Sequence, residues 1–277
     1  MRTKACLAAT LLLMLPALVK AQVRVTSLAD NVILLQTSSG NLVASAGREG
    51  AVLVGAVDTT SAAAVADSLT ARSGSPRRFV IAMAGLGSMG QADAGWDSRG
   101  AFVIMQEFAV RRMSRTTKPG LRRPRAEFSQ FFSLELNEES LHAVRQEPGY
   151  ATSDVLVHFE NNDVVYLGES YPGDGYPRID STLGGTVAGL LQTLEPWTGS
   201  RNTRFVGARG ALATGADIRA FRDMVIAVRD RVRTMKEAGR SIDDVIAARP
   251  TAPYDERWGR GLVKADAFIR DLYRAAK

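Results

Sequence analysis

Short apolar runs closed by turn residues fill the first 105 residues, and they limit what this chain can fold into. Val32-Ile33-Leu34-Leu35 leads through Ser38-Ser39-Gly40-Asn41 to Leu42-Val43-Ala44. Ala51-Val52-Leu53-Val54 lies between Gly50 and Gly55. Phe79-Val80-Ile81-Ala82 precedes a glycine-rich stretch from Gly85 to Gly95, and Ala101 to Met105 follows it. Runs of this length between glycines read as strands. A helix is expected from about Ser61 to Ala71, with Val65 and Leu69 on one face. Strand, helix and strand in this order predict layered α/β packing.

The middle of the chain changes character. Arg111 to Arg125 holds seven basic residues and no acid, broken by two prolines and a glycine, and reads as an exposed loop. Phe128 to Leu136 and Val155 to Phe159 resume the strand pattern, with His142 between them on a polar segment read as helical. Asn161-Asn162-Asp163 makes a tight turn into Val164-Val165-Tyr166-Leu167, a hairpin signal. The last third is helical. Val187, Leu190, Leu191 and Leu194 recur at three and four residues, as do Ile218, Phe221, Val225, Val228, Val232 and Met235, and Gly239 stops that second helix. Ser241 with Asp244 opens a short helix that Pro250 closes, and Phe268, Ile269 and Leu272 mark a last one.

Residues 1–21 read as a targeting segment. Arg2 and Lys4 precede the apolar run Cys6 to Leu18, and Val19-Lys20-Ala21 places small residues at both positions of a cleavage site. The expectation is export, to the periplasm or the medium, with residues 22–277 as one domain and a helical extension from about residue 240. No later segment reaches the roughly 18 apolar residues that a membrane span needs. The net charge of +6 is in part this leader's, which holds three basic residues and no acid. One cysteine excludes an internal disulfide, and two histidines, His142 and His158, exclude any site built on three imidazoles. His158 alternates with Val155, Val157 and Phe159 on a strand and reads as structural, as does His142. In an exported chain the basic run Arg111–Arg125 would meet anionic lipid, polysaccharide or an acidic partner, not nucleic acid.

Gly85-Leu86-Gly87-Ser88-Met89-Gly90 fits the dinucleotide fingerprint Gly-x-Gly-x-x-Gly and follows a strand, with Glu107 17 residues beyond Gly90 as a ribose-binding acid. In that reading backbone N–H groups approach a pyrophosphate at a helix N-terminus. Gly95 and Gly100 crowd the stretch where the helix should start, and export would place the chain where free dinucleotide is scarce. A dinucleotide-dependent oxidoreductase is therefore the third reading of function.

A broader likeness runs from about residue 25 to 275. Leu28-Ala29-Asp30-Asn31-Val32 with Gly40-Asn41, Arg78-Phe79-Val80-Ile81, Gly100-Ala101-Phe102-Val103-Ile104 with Glu107, Asp154 to Phe159, Asn162 to Gly168, Tyr176-Pro177-Arg178-Ile179-Asp180, Gly184-Gly185 and Pro250 to Gly259 stand in the order of the corresponding elements of one superfamily. The chain resembles the metallo-β-lactamase superfamily, and the resemblance implies an α/β fold, an αββα sandwich followed by C-terminal helices.

In that family, histidines and aspartates hold one or two zinc ions, which lower the pKa of bound water to about 7 and polarise the substrate. The resemblance places Ala84, Leu86, Ser88 and Met89 at the His-x-His-x-Asp-His positions, Tyr150 at the next histidine, Glu169 at the aspartate after the hairpin, and Ala208 at the last histidine. No imidazole stands at any of them. The expected cofactor set is therefore empty, with zinc implied by the family but its ligands missing. Ser88 lacks the glycine at 86 that a nucleophile elbow requires. Asp174 and Asp180 near Glu169 form a possible carboxylate pair, though loop aspartates more often shape turns. The leading expectation is a pseudoenzyme that binds a small molecule or a protein. Its cleft would be walled by Tyr150, Glu169, Tyr171 and Trp96, and would suit an amphipathic or cationic ligand. The enzyme alternative is a hydrolase with altered or zinc-independent chemistry.

Overall fold

The apolar runs of the first half become neighbouring strands. The computed structural model describes residues 23–56, 59–83, 96, 99–114 and 124–276. In its first sheet β1 (Arg24–Ser27), β2 (Val32–Thr37), β3 (Gly40–Gly47), β4 (Gly50–Gly55), β5 (Arg78–Ala82), β6 (Phe102–Gln106) and β7 (Ala126–Phe128) lie side by side in chain order. The first four are joined antiparallel, and β4 to β7 run parallel. The second sheet holds β8 (Phe131–Leu136), β9 (Glu139–Arg145), β10 (Val155–Phe159), β11 (Val164–Gly168) and β12 (Arg204–Gly207), in the order β12-β11-β10-β9-β8. Its strands pair antiparallel except β11 with β12.

Side-chain alternation sorts the apolar residues into three cores. Val32, Leu34, Val43, Val52, Val54, Ile81 and Ile104 face the second sheet and meet Ala143, Val157, Phe159, Val164, Tyr166 and Val206. Their neighbours Ile33, Leu35, Ala44, Leu53, Val80 and Val103 face the other way, under α1 (Ala62–Thr70) and α2 (Glu107–Ser114). Because both faces are covered, β4 is buried along its whole length and reads as a continuous apolar run. On the far side of the second sheet Leu156, Val165, Leu167 and Phe205 lie under α3 (Val187–Leu194), α4 (Gly215–Glu237) and α7 (Ala265–Ala275). The result is helix, sheet, sheet, helix, the αββα sandwich expected. Reciprocal capping boxes start α4, through Thr214 and Asp217, and α5 (Ile242–Ala247), through Ser241 and Asp244. Gly239, at φ +78°, follows the end of α4. Val245, Trp258 of α6 (Asp255–Trp258), Phe268 and Leu272 join the same core as α4.

Three local expectations are corrected. His142 lies on β9, not on a helix. The alternation of that strand is hidden because an inward position carries Glu139, which is 1% exposed and accepts hydrogen bonds from the Asn161 N–H (2.9 Å) and the Asn162 amide. Phe128 to Leu136 is two strands in different sheets, with the crossing at Ser129, whose carbonyl accepts from Gln106 Nε2 at 3.0 Å. The basic run begins as helix, not loop: Arg111 pairs with Glu107 on α2 at 2.8 Å, and Arg112 is half-buried. Residues 115–123 of that run lie outside the described residues.

Candidate functional site

The parallel strands of the two sheets end at the same edge of the sandwich. β4 ends at Gly55, beside the Tyr166 hydroxyl and Leu42, and β5 gives way to Met83, which approaches Gly168 at the end of β11. The carboxyl ends of parallel strands are where open α/β sheets form ligand crevices. A narrow crevice lies there, lined by Met83, Ser153, Asp154, Val155, Leu167, Glu169 and Ser170.

Asp154 organises one wall. Its Oδ2 accepts from the N–H groups of Gly149 (2.9 Å) and Tyr150 (2.7 Å), and its Oδ1 from that of Ala151 (3.0 Å). Three N–H donors favour the carboxylate, but burial outweighs them and Arg112 nearby, and the pKa rises to about 6. The folded loop presents Tyr150, whose phenol is pushed upward by burial despite the opposing charge of Arg112. Arg112 reaches in from α2 and donates to Ser153 Oγ at 3.2 Å. Burial lowers its pKa, against the charges of Tyr150, Asp154 and Asp180. Asp180 itself caps the turn at Ser181–Leu183, accepting from the Thr182 N–H and hydroxyl at 3.0 and 2.6 Å.

The opposite wall is the segment after β12. Ala208 is 7% exposed, and its N–H donates to the carbonyls of Gly168 and Tyr171, both at 3.0 Å. Its carbonyl accepts from the Asn41 N–H at 2.8 Å. The Asn41 amide in turn donates to the carbonyls of Gly207 (3.1 Å) and Gly210 (3.0 Å). This clamp needs a glycine at 40, where φ is +144° and a Cβ would sit 2.5 Å from the Ala208 oxygen. The clamped segment holds Arg209 with its Nη1 3.7 Å from Glu169 Oε2, both side chains largely buried.

Solved structures resemble this fold. The metallo-beta-lactamase from Pontibacter korlensis matches with a TM-score of 0.59 at 11% identity, over 74% of this chain and 99% of that one. The stereoselective inverting sec-alkylsulfatase Pisa1 from Pseudomonas sp. matches with a TM-score of 0.65 at 14% identity, over 91% of this chain and 50% of that one. A double mutant of the same sulfatase gives 0.66 at 14% identity. The chain has the metallo-β-lactamase fold. It spans about half the length of the sulfatase it matches. No protein-family model and no curated protein matches its sequence.

Within the metallo-β-lactamase fold, Tyr150, Glu169 and Ala208 are brought to one edge of the sandwich, whereas Ala84, Leu86, Ser88 and Met89 lie outside the described residues. At the three described positions the side chains do not fit zinc. An alanine methyl and a phenol raised by burial are poor ligands, and Glu169 already faces a guanidinium. Among the described residues no group of three His, Cys, Asp or Glu side chains is placed to hold a metal ion.

Two expected walls belong elsewhere. Trp96, 1% exposed, packs in the core beneath α1 and α2, and Tyr171 meets Phe221 edge-on at 5.1 Å in the core beneath α4. Large aromatic side chains are drawn to where they bury most area, so the Tyr171 ring turns into the core although its carbonyl accepts from the Ala208 N–H of the cleft wall. Asp174 lies in the loop packed on Gly210 and Gly261, and Asp180 faces Arg112 and Tyr150 instead. Arg112, Asp154 and Arg209 were not foreseen. Asp154 had a sequence signal, since an aspartate closing a polar turn bonds nearby backbone N–H groups. The Arg112 and Arg209 contacts carry no motif.

The dinucleotide fingerprint Gly85–Gly90 also falls outside the described residues. Glu107 is engaged by Arg111 and by Ser129 Oγ at 2.9 Å, and the first sheet has a second sheet, not helices, on one face. A wider basin at the other end of the sandwich is lined by Asp30, Asn31, Arg48, Glu49, Asn137 and Asn162. Its polar groups bond one another: Asn162 Nδ2 donates to Asn31 Oδ1 at 3.1 Å, and the Glu49 N–H to Asn137 Oδ1 at 3.0 Å. Among the described residues no helix is long and apolar enough to cross a membrane.

Proposed function

We propose that this chain is an exported binding protein on the metallo-β-lactamase fold, without zinc and without the hydrolase chemistry that zinc supports. The Glu169–Arg209 pair carries the reading. Where the family would set a carboxylate against a metal cation, this chain sets it 3.7 Å from a guanidinium of its own. That positive charge is covalently fixed and has no open coordination position, so it can hold a ligand by charge and hydrogen bond but cannot activate water. With Trp96 and Tyr171 in the cores, the cleft keeps Tyr150 of its three expected aromatic walls and adds Arg112 and Arg209 beside Glu169. Such a set suits a small polar molecule with an acidic group better than the amphipathic or cationic ligand that aromatic walls would suit.

The test is elemental analysis together with turnover. Purified without chelator, the protein is expected to carry well under one zinc ion per chain and to leave a β-lactam and a secondary alkyl sulfate intact. The reading fails if one or two ions copurify and Glu169→Ala removes them together with hydrolysis of either probe.

A further inference from the structure

Both imidazoles of the chain lie side by side on the face of the second sheet that is turned away from the first. His142 on β9 is the register partner of His158 on β10, and on its other side of Ser133 on β8. The Arg145 N–H donates to the Gln130 carbonyl at 2.8 Å, which fixes the bonding alternation between β8 and β9. Counting from that bond, Ser133 and His142 form a non-hydrogen-bonded pair, the kind in which side chains approach most closely. Ser133 Oγ lies 2.8 Å from His142 Nδ1, and His142 Nε2 lies 2.8 Å from Glu160 Oε2, just beyond the end of β10. Phe131, 56% exposed, stacks on the imidazole with centroids 5.6 Å apart and planes at 18°.

We propose that Ser133, His142 and Glu160 form a reactive serine site, independent of the cleft, that takes small activated esters. A hydroxyl bonded to an imidazole that is bonded in turn to a carboxylate is the arrangement that makes a serine nucleophilic. Glu160 is a positioning residue: it holds the proton on Nε2, which leaves Nδ1 free to accept from Ser133. Ser133 Oγ attacks the ester carbonyl, and its proton passes to His142 Nδ1. The carbon–oxygen bond to the leaving group breaks, and that alkoxide or phenoxide takes the proton back from Nδ1. Water then enters by the same route, releasing the acid and restoring Ser133. The same alternation turns the Ser133 N–H outward along β8, the last strand of the sheet, so it can meet the developing oxyanion. The exposed Phe131 ring gives the apolar part of the ester a surface to lie on. Ser133 and Glu160 are exposed and His142 is partly so, an open setting that favours small, reactive esters over large specific ones.

Phenylmethylsulfonyl fluoride is a suitable probe, since the serine oxygen displaces fluoride and keeps the sulfonyl group. Intact mass and peptide mapping should find one adduct, on Ser133, absent in Ser133→Ala. His142→Gln should slow labelling by roughly 100-fold, the low end of general-base assistance. Glu160→Gln should slow it and change the histidine ring ¹⁵N shifts as the Nε2–H tautomer loses its partner. All three positions are at least partly exposed, so circular dichroism should show the fold unchanged. The proposal is overturned if no adduct forms at excess reagent, if the adduct maps elsewhere, or if His142→Gln labels at the wild-type rate.

Discussion

Two regions gather ionisable side chains, and they treat them in opposite ways. At the cleft, Asp154, Arg112, Glu169 and Arg209 are buried or half-buried, and each is answered by a neighbour: backbone N–H groups, Ser153, or one another. On the outer face of the second sheet, Ser133, His142 and Glu160 stand in or near water and bond in a single series. Burial makes an unmatched charge costly, so the cleft charges are tied to structure. Exposure costs little, so the outer series is released from any structural duty and free to carry a proton. The cleft should therefore respond to mutation through stability, and the outer face through reactivity.

The largest effect is expected at Asp154. Asp154→Ala strands three buried N–H donors, and about 3–5 kcal/mol should be lost in chemical denaturation. Asp154→Asn keeps one acceptor oxygen and isolates the effect of pH. The folded pKa, about 6, lies above the unfolded value, so the folded state binds the proton more tightly. Wild-type stability relative to Asp154→Asn should then fall as pH rises from about 4 to 6, by up to about 3 kcal/mol. A gap that widens over that range would mean the three N–H bonds outweigh burial.

A smaller loss is expected for one half of the cleft pair. Glu169→Gln alone should cost about 2–3 kcal/mol by leaving Arg209 without its counter-charge, whereas Glu169→Gln with Arg209→Met should recover much of it. Additive losses in that cycle would show that the pair is not coupled, and the contrast with the outer face would weaken. Tyr166→Phe, which removes a buried hydroxyl donating to the Asn41 carbonyl at 3.1 Å, should cost about 1 kcal/mol. Ser133→Ala sits at the bottom of the scale, within about 0.5 kcal/mol of wild type, because an exposed hydroxyl bond is readily replaced by water.

The architecture was legible because strands covered on both faces are apolar where they are buried, as β4 and residues 42–44, 79–82 and 102–105 are. The long helix α4 was legible from its period and the glycine that follows it. β9 was not, because its inward Glu139 answers amide donors from the β10–β11 turn, a pairing that only the folded chain reveals. The cleft was legible as a set of missing imidazoles, and no further. Sequence shows which ligand is absent, but that Glu169 faces Arg209 depends on the Asn41 clamp that draws in the segment after β12. Trp96 and Tyr171 misled for a related reason: proximity in sequence to the cleft loops says nothing about which face a large ring is buried on.

The central claim is that the cleft is held by charges of the chain itself and not by a metal. Thermal unfolding in 100 μM zinc and in excess EDTA tests it directly. A resident zinc ion present at about 1,000 times its dissociation constant would add about 4 kcal/mol, which is many degrees for most domains. The account predicts midpoints that agree within about one degree in both conditions. A midpoint several degrees higher in zinc, with the difference abolished by Glu169→Ala, would contradict it.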